Sequence, residues 1–216
     1  MIKQFAVVTG LAVIAACGPL ERNSIASQVS DLAISVATGK ASQATPQRGV
    51  SQEELLANPG KYIRVSIRNQ ERWGTAVESG RNADRVTWVD SDNISVTFEN
   101  GIVVATRGLP RDLIAADVSE SWSAIASGGG EAHRTHETLS NMDSISTEVL
   151  QCRIASEGFE TVKRLGTEQK TTKFTEDCAS PNLEFANVYW VNRQGRIVRS
   201  LQAISPGAGY LQIDIF

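Results

Sequence analysis

From Lys61 onward the hydrophobic positions recur with a period of two. In Tyr62–Arg68, Ile63, Val65 and Ile67 fall on one side and Arg64, Ser66 and Arg68 on the other. That alternation predicts a half-buried strand. Trp73 to Val77 reads as another. Arg85 to Asp90 alternates Val86 and Trp88 with polar residues, Ser91-Asp92-Asn93 turns the chain, and Ile94, Val96 and Phe98 alternate on the return. Glu99-Asn100-Gly101 turns it again, Asn-Gly being a strong hairpin signal, and Ile102 to Thr106 runs back to complete an antiparallel meander. Further strands are expected at Arg134–Leu139, Thr147–Ile154, Glu160–Leu165 and Thr171–Asp177. Near the end, Phe185–Val191 and Arg196–Ala203 flank the turn Asn192-Arg193-Gln194-Gly195, and Tyr210–Phe216 closes the chain. Gly108–Val118 reads as irregular or a short helix, and Ser127–Gly130 as a flexible break.

Before Lys61 the period is helical. Leu20, Ile25, Val29, Leu32 and Val36 predict a helix capped by Asn23 or Ser24, running to Thr38 and ended by Gly39. Lys40–Gly49 is a polar linker. Ser51-Gln52-Glu53-Glu54 is a capping box, so Ser51–Ala57 predicts a second short helix, stopped by Pro59-Gly60. Repeated short strands with turn signals predict a mainly β protein: an antiparallel β-sheet sandwich or open half-barrel with one or two N-terminal helices. No internal repeat of fixed period is visible.

The first residues follow different rules. Lys3 is basic, Phe5–Ala16 is apolar apart from Thr9 and Gly10, and Ala15-Ala16 precede Cys17. This is the pattern of a secretory signal, and it is too short to span a bilayer, which takes about 20 apolar residues. Ile14-Ala15-Ala16-Cys17 resembles the bacterial lipobox, which implies a lipidated Cys17 as the mature N-terminus. The rival reading is an ordinary signal cut before a chance cysteine. Gly18, where an aspartate is absent, resembles the outer-membrane side of the enterobacterial sorting rule. The expected organisation is a signal peptide over 1–16, a lipid-anchored helical and linker segment over 17–49, and a β-rich domain over 50–216.

Composition narrows the partners. The chain is 41% hydrophobic and 21% charged, an ordinary globular balance. A net charge of −3 and a pI near 5.5 give no basic footprint for nucleic acid and no polybasic segment for anionic lipid. The cysteines are Cys17, Cys152 and Cys178. With Cys17 assigned to lipid, an even pair in an oxidising compartment predicts a Cys152–Cys178 disulfide; free buried thiols and structural zinc are the other readings.

Three segments then look familiar together. They are Ile102–Leu109 continuing to Asp112-Leu113 and Ala116-Asp117; the pair Cys152 and Cys178; and Phe185–Val191 with Gly195-Arg196-Ile197, Ser200 and Gly207–Leu211. With the lipobox, they resemble the YjbF/GfcB lipoproteins of exopolysaccharide or group 4 capsule production, over about Val50 to Phe216. Arg134 and His136 match the arginine and histidine of that pattern, although Glu137-Thr138-Leu139 stand where an aromatic residue often follows. The resemblance implies a mostly β outer-membrane lipoprotein facing the periplasm, without catalysis or cofactor, working beside an outer-membrane β-barrel protein and polysaccharide export proteins. It assigns no role to His136.

Individual residues yield few sharp sites. His133 and His136 are the only histidines and lack a third ligand in sequence, so they read as half-exposed loop or strand residues rather than a metal site. A glycosidase needs two carboxyl groups. Asp90, Asp92, Asp112, Asp117, Asp143 and Asp214 are available, mostly in turn-like or cap-like contexts. There is no GxSxG elbow. Trp88 and Trp190 belong to strand patterns and read as core, whereas Trp73 and Trp122 are the candidates for a ligand or partner surface. The expected function is non-enzymatic assistance to exopolysaccharide assembly or export, through binding of a partner or the polymer. A polysaccharide-modifying enzyme would show a buried carboxylate pair in a cleft. A lipid or lipoprotein carrier would show an apolar cavity open to solvent.

Overall fold

A computed structural model describes residues 49–68, 72–139 and 144–216. The signal sequence, Cys17, the helix expected at 24–38, nearly all of the linker and Asp143 lie outside the described residues.

The helices among the described residues are α1 (Gln52–Ala57) and α2 (Ser119–Ala126). The strands are β1 (Tyr62–Ile67), β2 (Arg72–Asn82), β3 (Arg85–Asp90), β4 (Ser95–Glu99), β5 (Ile102–Arg107) and β6 (Leu113–Asp117). After α2 come β7 (Gly130–Leu139), β8 (Ile145–Arg164), β9 (Thr167–Ala179), β10 (Glu184–Asn192), β11 (Ile197–Ser205) and β12 (Gly209–Ile215). All twelve strands join one antiparallel sheet in the order β5-β4-β3-β2-β1-β12-β11-β10-β9-β8-β7-β6. The sheet curls into a nearly closed barrel-like form, so the half-barrel rather than the sandwich describes it.

Local sequence explains the clear elements. Ser51 caps α1, its Oγ accepting from the Glu54 amide at 3.2 Å. Asn100 and Gly101 both have positive φ, 53° and 87°, as the tight β4–β5 hairpin turn requires. Gly101 is also obligatory for space, because a Cβ there would stand 2.9 Å from the Ile197 side chain. β10 and β11 are buried on both faces, which makes them the middle of the core and puts Trp190 and Tyr189 out of water. Trp88 is buried as its alternation predicts.

Three expectations need correction. Thr147–Ile154 and Glu160–Leu165 are not separate strands but one twenty-residue strand, β8, bent at a bulge between Ser156 and Gly158. Gly158 sits at φ 88°, a backbone state that broke the apparent pattern. Gly108–Val118 is neither irregular throughout nor helical: a tight turn leads into β6. Ser127–Gly130 is the exit of α2 into β7 rather than a free linker.

The gap in the barrel lies between β5 and β6, the two ends of the strand order. Side chains span it. Thr106 Oγ1 accepts from the buried Leu113 amide at 3.0 Å and donates to Asp112 at 2.8 Å. Asp112 also accepts from the Gly108 and Leu109 amides. The Arg107 guanidinium donates to the Leu113 and Ile114 carbonyls.

The strand order has a geometric result. The turns β2–β3, β4–β5, β8–β9 and β10–β11, the β6–β7 connection carrying α2, and the end of β12 all lie at the same end of the sheet. The rim at that end is where variable chemistry can gather.

Cys152 and Cys178 stand opposite each other in the β8–β9 ladder and form a disulfide. Their separation is 26 residues. In the chain-entropy model such a loop adds about 3–4 kcal/mol by restricting the unfolded chain. Cys178→Ala, or reduction, is expected to lower stability by about that amount in denaturant unfolding. Two titratable thiols in the native protein, or an unfolding midpoint indifferent to reductant, would refute this.

Candidate functional site

Two assemblies of polar side chains stand out. The first is sealed. Arg134 on β7 and Glu176 on β9 form an ion pair at 2.7 Å, both fully buried. Tyr189 Oη on β10 donates to the same Glu176 oxygen at 2.7 Å, and Asn187 Nδ2 donates to it at 2.8 Å. Asn187 Oδ1 then accepts from the Ala203 amide, tying the group to β11. Ser121 Oγ on α2 approaches Glu176 without closing a full hydrogen bond. Burial works to raise the Glu176 pKa, but the Arg134 charge and the donated bonds outweigh it and hold the carboxyl below its ordinary value. Tyr189 is pushed well above the usual phenol range by burial and by the Glu176 charge.

His136 belongs beside this group and not at the surface as expected. It is buried on β7, stacked on Phe185 with ring centroids 5.2 Å apart. Neither ring nitrogen has a hydrogen-bond partner. Burial, with the Arg134 charge, drives its pKa well below 6.5, so the ring is neutral. His133, its neighbour in sequence, faces outward and bonds Glu120 at 3.0 Å. The two histidines therefore lie on opposite faces of one strand and cannot share an ion. Glu176 also lies within 4.8 Å of the Cys152 and Cys178 sulfurs, but those are spent on each other. Closed to solvent on every side, the network positions strands; it cannot receive a ligand.

The second assembly is open. At the rim, a cleft of about 650 Å³ is bounded by the β2–β3, β4–β5, β8–β9 and β10–β11 turns and by Trp122 of α2. This size suits a ligand segment, and the mouth of a β-barrel is a usual place for one. Trp88, Phe98 and Ile197 contribute apolar wall. Arg164 at the end of β8, Gln169 at the start of β9, and Gln194 and Arg196 of the β10–β11 connection bring polar groups. Among the described residues, Asp84 is the sole carboxylate side chain lining it.

The two candidate tryptophans separate. Trp122 is half-buried and lines this cleft. Trp73 lies under the Arg64 guanidinium at 5.5 Å, beside a space of only about 20 Å³. That space suits a water molecule, not a ring. The aspartates serve the backbone or a neighbouring cation. Asp90 accepts from the Asp92 and Ile94 amides, Asp117 from Ser119, and Asp214 pairs with Arg199 at 2.5 Å. On sequence alone Glu176, Arg164 and Arg196 carry no site role, although Arg196 belongs to the motif Gly195-Arg196-Ile197. The two arginines had a signal: each adjoins a glycine turn, which strand order carries to the same rim.

The neutral His136 makes stability depend on pH. Its folded pKa is depressed, so the unfolded chain binds the proton first as pH falls below 6.5. Stability is expected to decline from there by up to about 1.4 kcal/mol per pH unit. His136→Leu should flatten that slope in unfolding titrations kept above the carboxylate range. An identical slope in the variant would refute the assignment.

Comparison with known proteins adds three findings. No curated protein matches the chain. A solved structure, the hypothetical lipoprotein YmcC of Escherichia coli, shares the fold with a TM-score of 0.67 at 20% identity, covering 83% of this chain and 93% of its own. The family model described as group 4 capsule polysaccharide lipoprotein GfcB, YjbF matches residues 29–216. That span contains the seam, the sealed network and the rim alike, and by it the chain belongs to the YjbF family of capsule polysaccharide lipoproteins.

Proposed function

We propose that this protein is a non-enzymatic lipoprotein of the outer membrane, facing the periplasm, that assists capsule or exopolysaccharide assembly or export by holding the polymer at its rim cleft. Lipid on Cys17 tethers it, and an outer-membrane β-barrel protein and polysaccharide export proteins are its working neighbours. The family supplies the pathway. The observation that carries the reading is the cleft itself, open at the turn-bearing end of the barrel and lined by an indole, planar amides and arginines. Indole faces stack on the apolar faces of sugar rings, and amides bond hydroxyl groups.

The chemistry of the wall separates this reading from its rivals. A glycosidase places two carboxyl groups across its cleft, whereas Asp84 stands there without a second acid side chain among the described residues. A lipid carrier wants a continuous apolar lining, whereas arginines and amides interrupt this one.

Deleting the gene is expected to reduce surface polysaccharide while leaving growth intact. Cys17→Ser should abolish fatty-acid labelling and weaken complementation. Asp84→Asn should complement fully, since exposed substitutions usually cost within about 0.5 kcal/mol. Loss of polymer output in an Asp84→Asn protein that still folds and localises would replace this reading with an enzymatic one.

A further inference from the structure

The charges around the rim cleft are uneven. Arg164, at the end of β8, is half-buried. Its Nη2 donates to Gln169 Oε1, and its Nε is buried without a partner, so only the remaining Nη hydrogens are left for a ligand. Among the described residues no carboxylate forms an ion pair with it. Burial holds the Arg164 pKa below its ordinary value; Asp214 opposes that shift, and the nearby Arg199 and Arg196 add to it. Asp214 is already engaged by Arg199 at 2.5 Å. Arg196, just after the β10–β11 turn, is exposed, and among the described residues its guanidinium makes no hydrogen bond or ion pair. Arg81 at the end of β2 is matched by Glu78 at 2.8 Å, and Asp84 is the one acidic side chain among the described residues that line the cleft. Two guanidinium groups thus line the cleft without a carboxylate ion-pair partner among the described residues.

Complementary chemistry lines the same cleft. Trp122 of α2, half-buried against the core, lines the cleft together with Trp88 and Phe98. Gln194 and Asn100 are exposed planar amides on two turns. A guanidinium takes a carboxylate in a bidentate grip, an indole takes a ring face, and an amide takes hydroxyl groups. A single ligand class offers all three groups in one repeating unit: a sugar acid. We propose that the rim cleft binds an acidic segment of polysaccharide, with uronate-type carboxylates on Arg164 and Arg196 and a sugar ring stacked on Trp122. This rests on the polymer-holding reading and adds the charge class of the polymer to it.

The test uses the detergent-solubilised full-length lipoprotein and three probes by calorimetry and tryptophan fluorescence. Oligogalacturonate carries rings and carboxylates, maltooligosaccharide of equal length carries rings alone, and poly-L-glutamate carries carboxylates without rings. Oligogalacturonate is expected to bind at least about tenfold tighter than either of the others. Arg164→Gln with Arg196→Gln should remove that preference and lessen the salt dependence. Trp122→Ala should weaken binding and leave the salt dependence in place. Arg196→Gln alone, at an exposed position, tests the charge without risk to folding; thermal unfolding checks the rest. No binding of oligogalacturonate, equal binding of all three probes, or wild-type affinity in the double arginine variant would each overturn the proposal. The parent reading is judged separately, in cells. If deletion lowers polysaccharide and the arginine variants restore it fully, the acidic ligand falls and the function stands. If deletion leaves polysaccharide unchanged, the function itself falls.

Discussion

A carboxylate with no access to water must be answered from within, and Glu176 sets that demand on the whole sheet. Its answers come from Arg134 on β7 and from Asn187 and Tyr189 on β10. These strands are not free to slide. A shift of one residue on β7 would turn Arg134 to solvent and bring His133 or Thr135 inward. The orphaned charge would then cost about 3–5 kcal/mol. The same two side chains replaced by apolar ones of equal volume need cost little. The network is therefore better understood as fixing register than as adding net stability. The Cys152–Cys178 bond, two residues from Glu176 on β9, holds the adjoining pair in the same alignment.

Register in the middle of the sheet determines what happens at its edges. With β7 to β11 aligned, α2 is carried to the rim by the β6–β7 connection, and the β8–β9 turn comes up beside it. At the far side, the ladder ends at β5 and β6, and the Thr106, Arg107 and Asp112 side chains do the joining. Their bonds go to backbone groups that no neighbouring strand pairs. The segment Ile102–Asp117, which carries part of the family resemblance, is thus a closure device. The segment around Phe185–Val191 supplies the network and the stacking partner of His136.

Much of this architecture was legible in the chain. Strict alternation located β1, β3 and β4, the Asn100-Gly101 pair located a hairpin, and the capping box located α1. Export logic paired the two cysteines. What stayed hidden has physical reasons. β8 reads as two strands because its bulge at Gly158 shifts the phase of alternation. α2 gives little sequence signal because Ser119-Glu120-Ser121-Trp122-Ser123 is poor in strong helix formers and its N-cap residue, Val118, has no side chain that can cap. His136 was misplaced because a strand whose both faces carry polar residues gives no hydrophobic signal of which face is inward. Only the tertiary pairing of Arg134 with a buried acid shows that. The cleft was invisible for a related cause: its residues come from turns far apart in sequence, and strand order alone brings them together.

The separation between barrel and rim has a consequence for how such a protein could be retuned. Glu176 and Arg134 are committed to alignment, and neither lines the cleft. Gln194 and Arg196 project, exposed, from the β10–β11 connection, whose replacement leaves every strand pair intact. Exchanging such side chains usually alters stability by no more than about 0.5 kcal/mol, yet it would reverse or erase the charge offered to a ligand. One scaffold can therefore be re-addressed to chemically different polymers through a few tip positions, with the frame left unaware of the change.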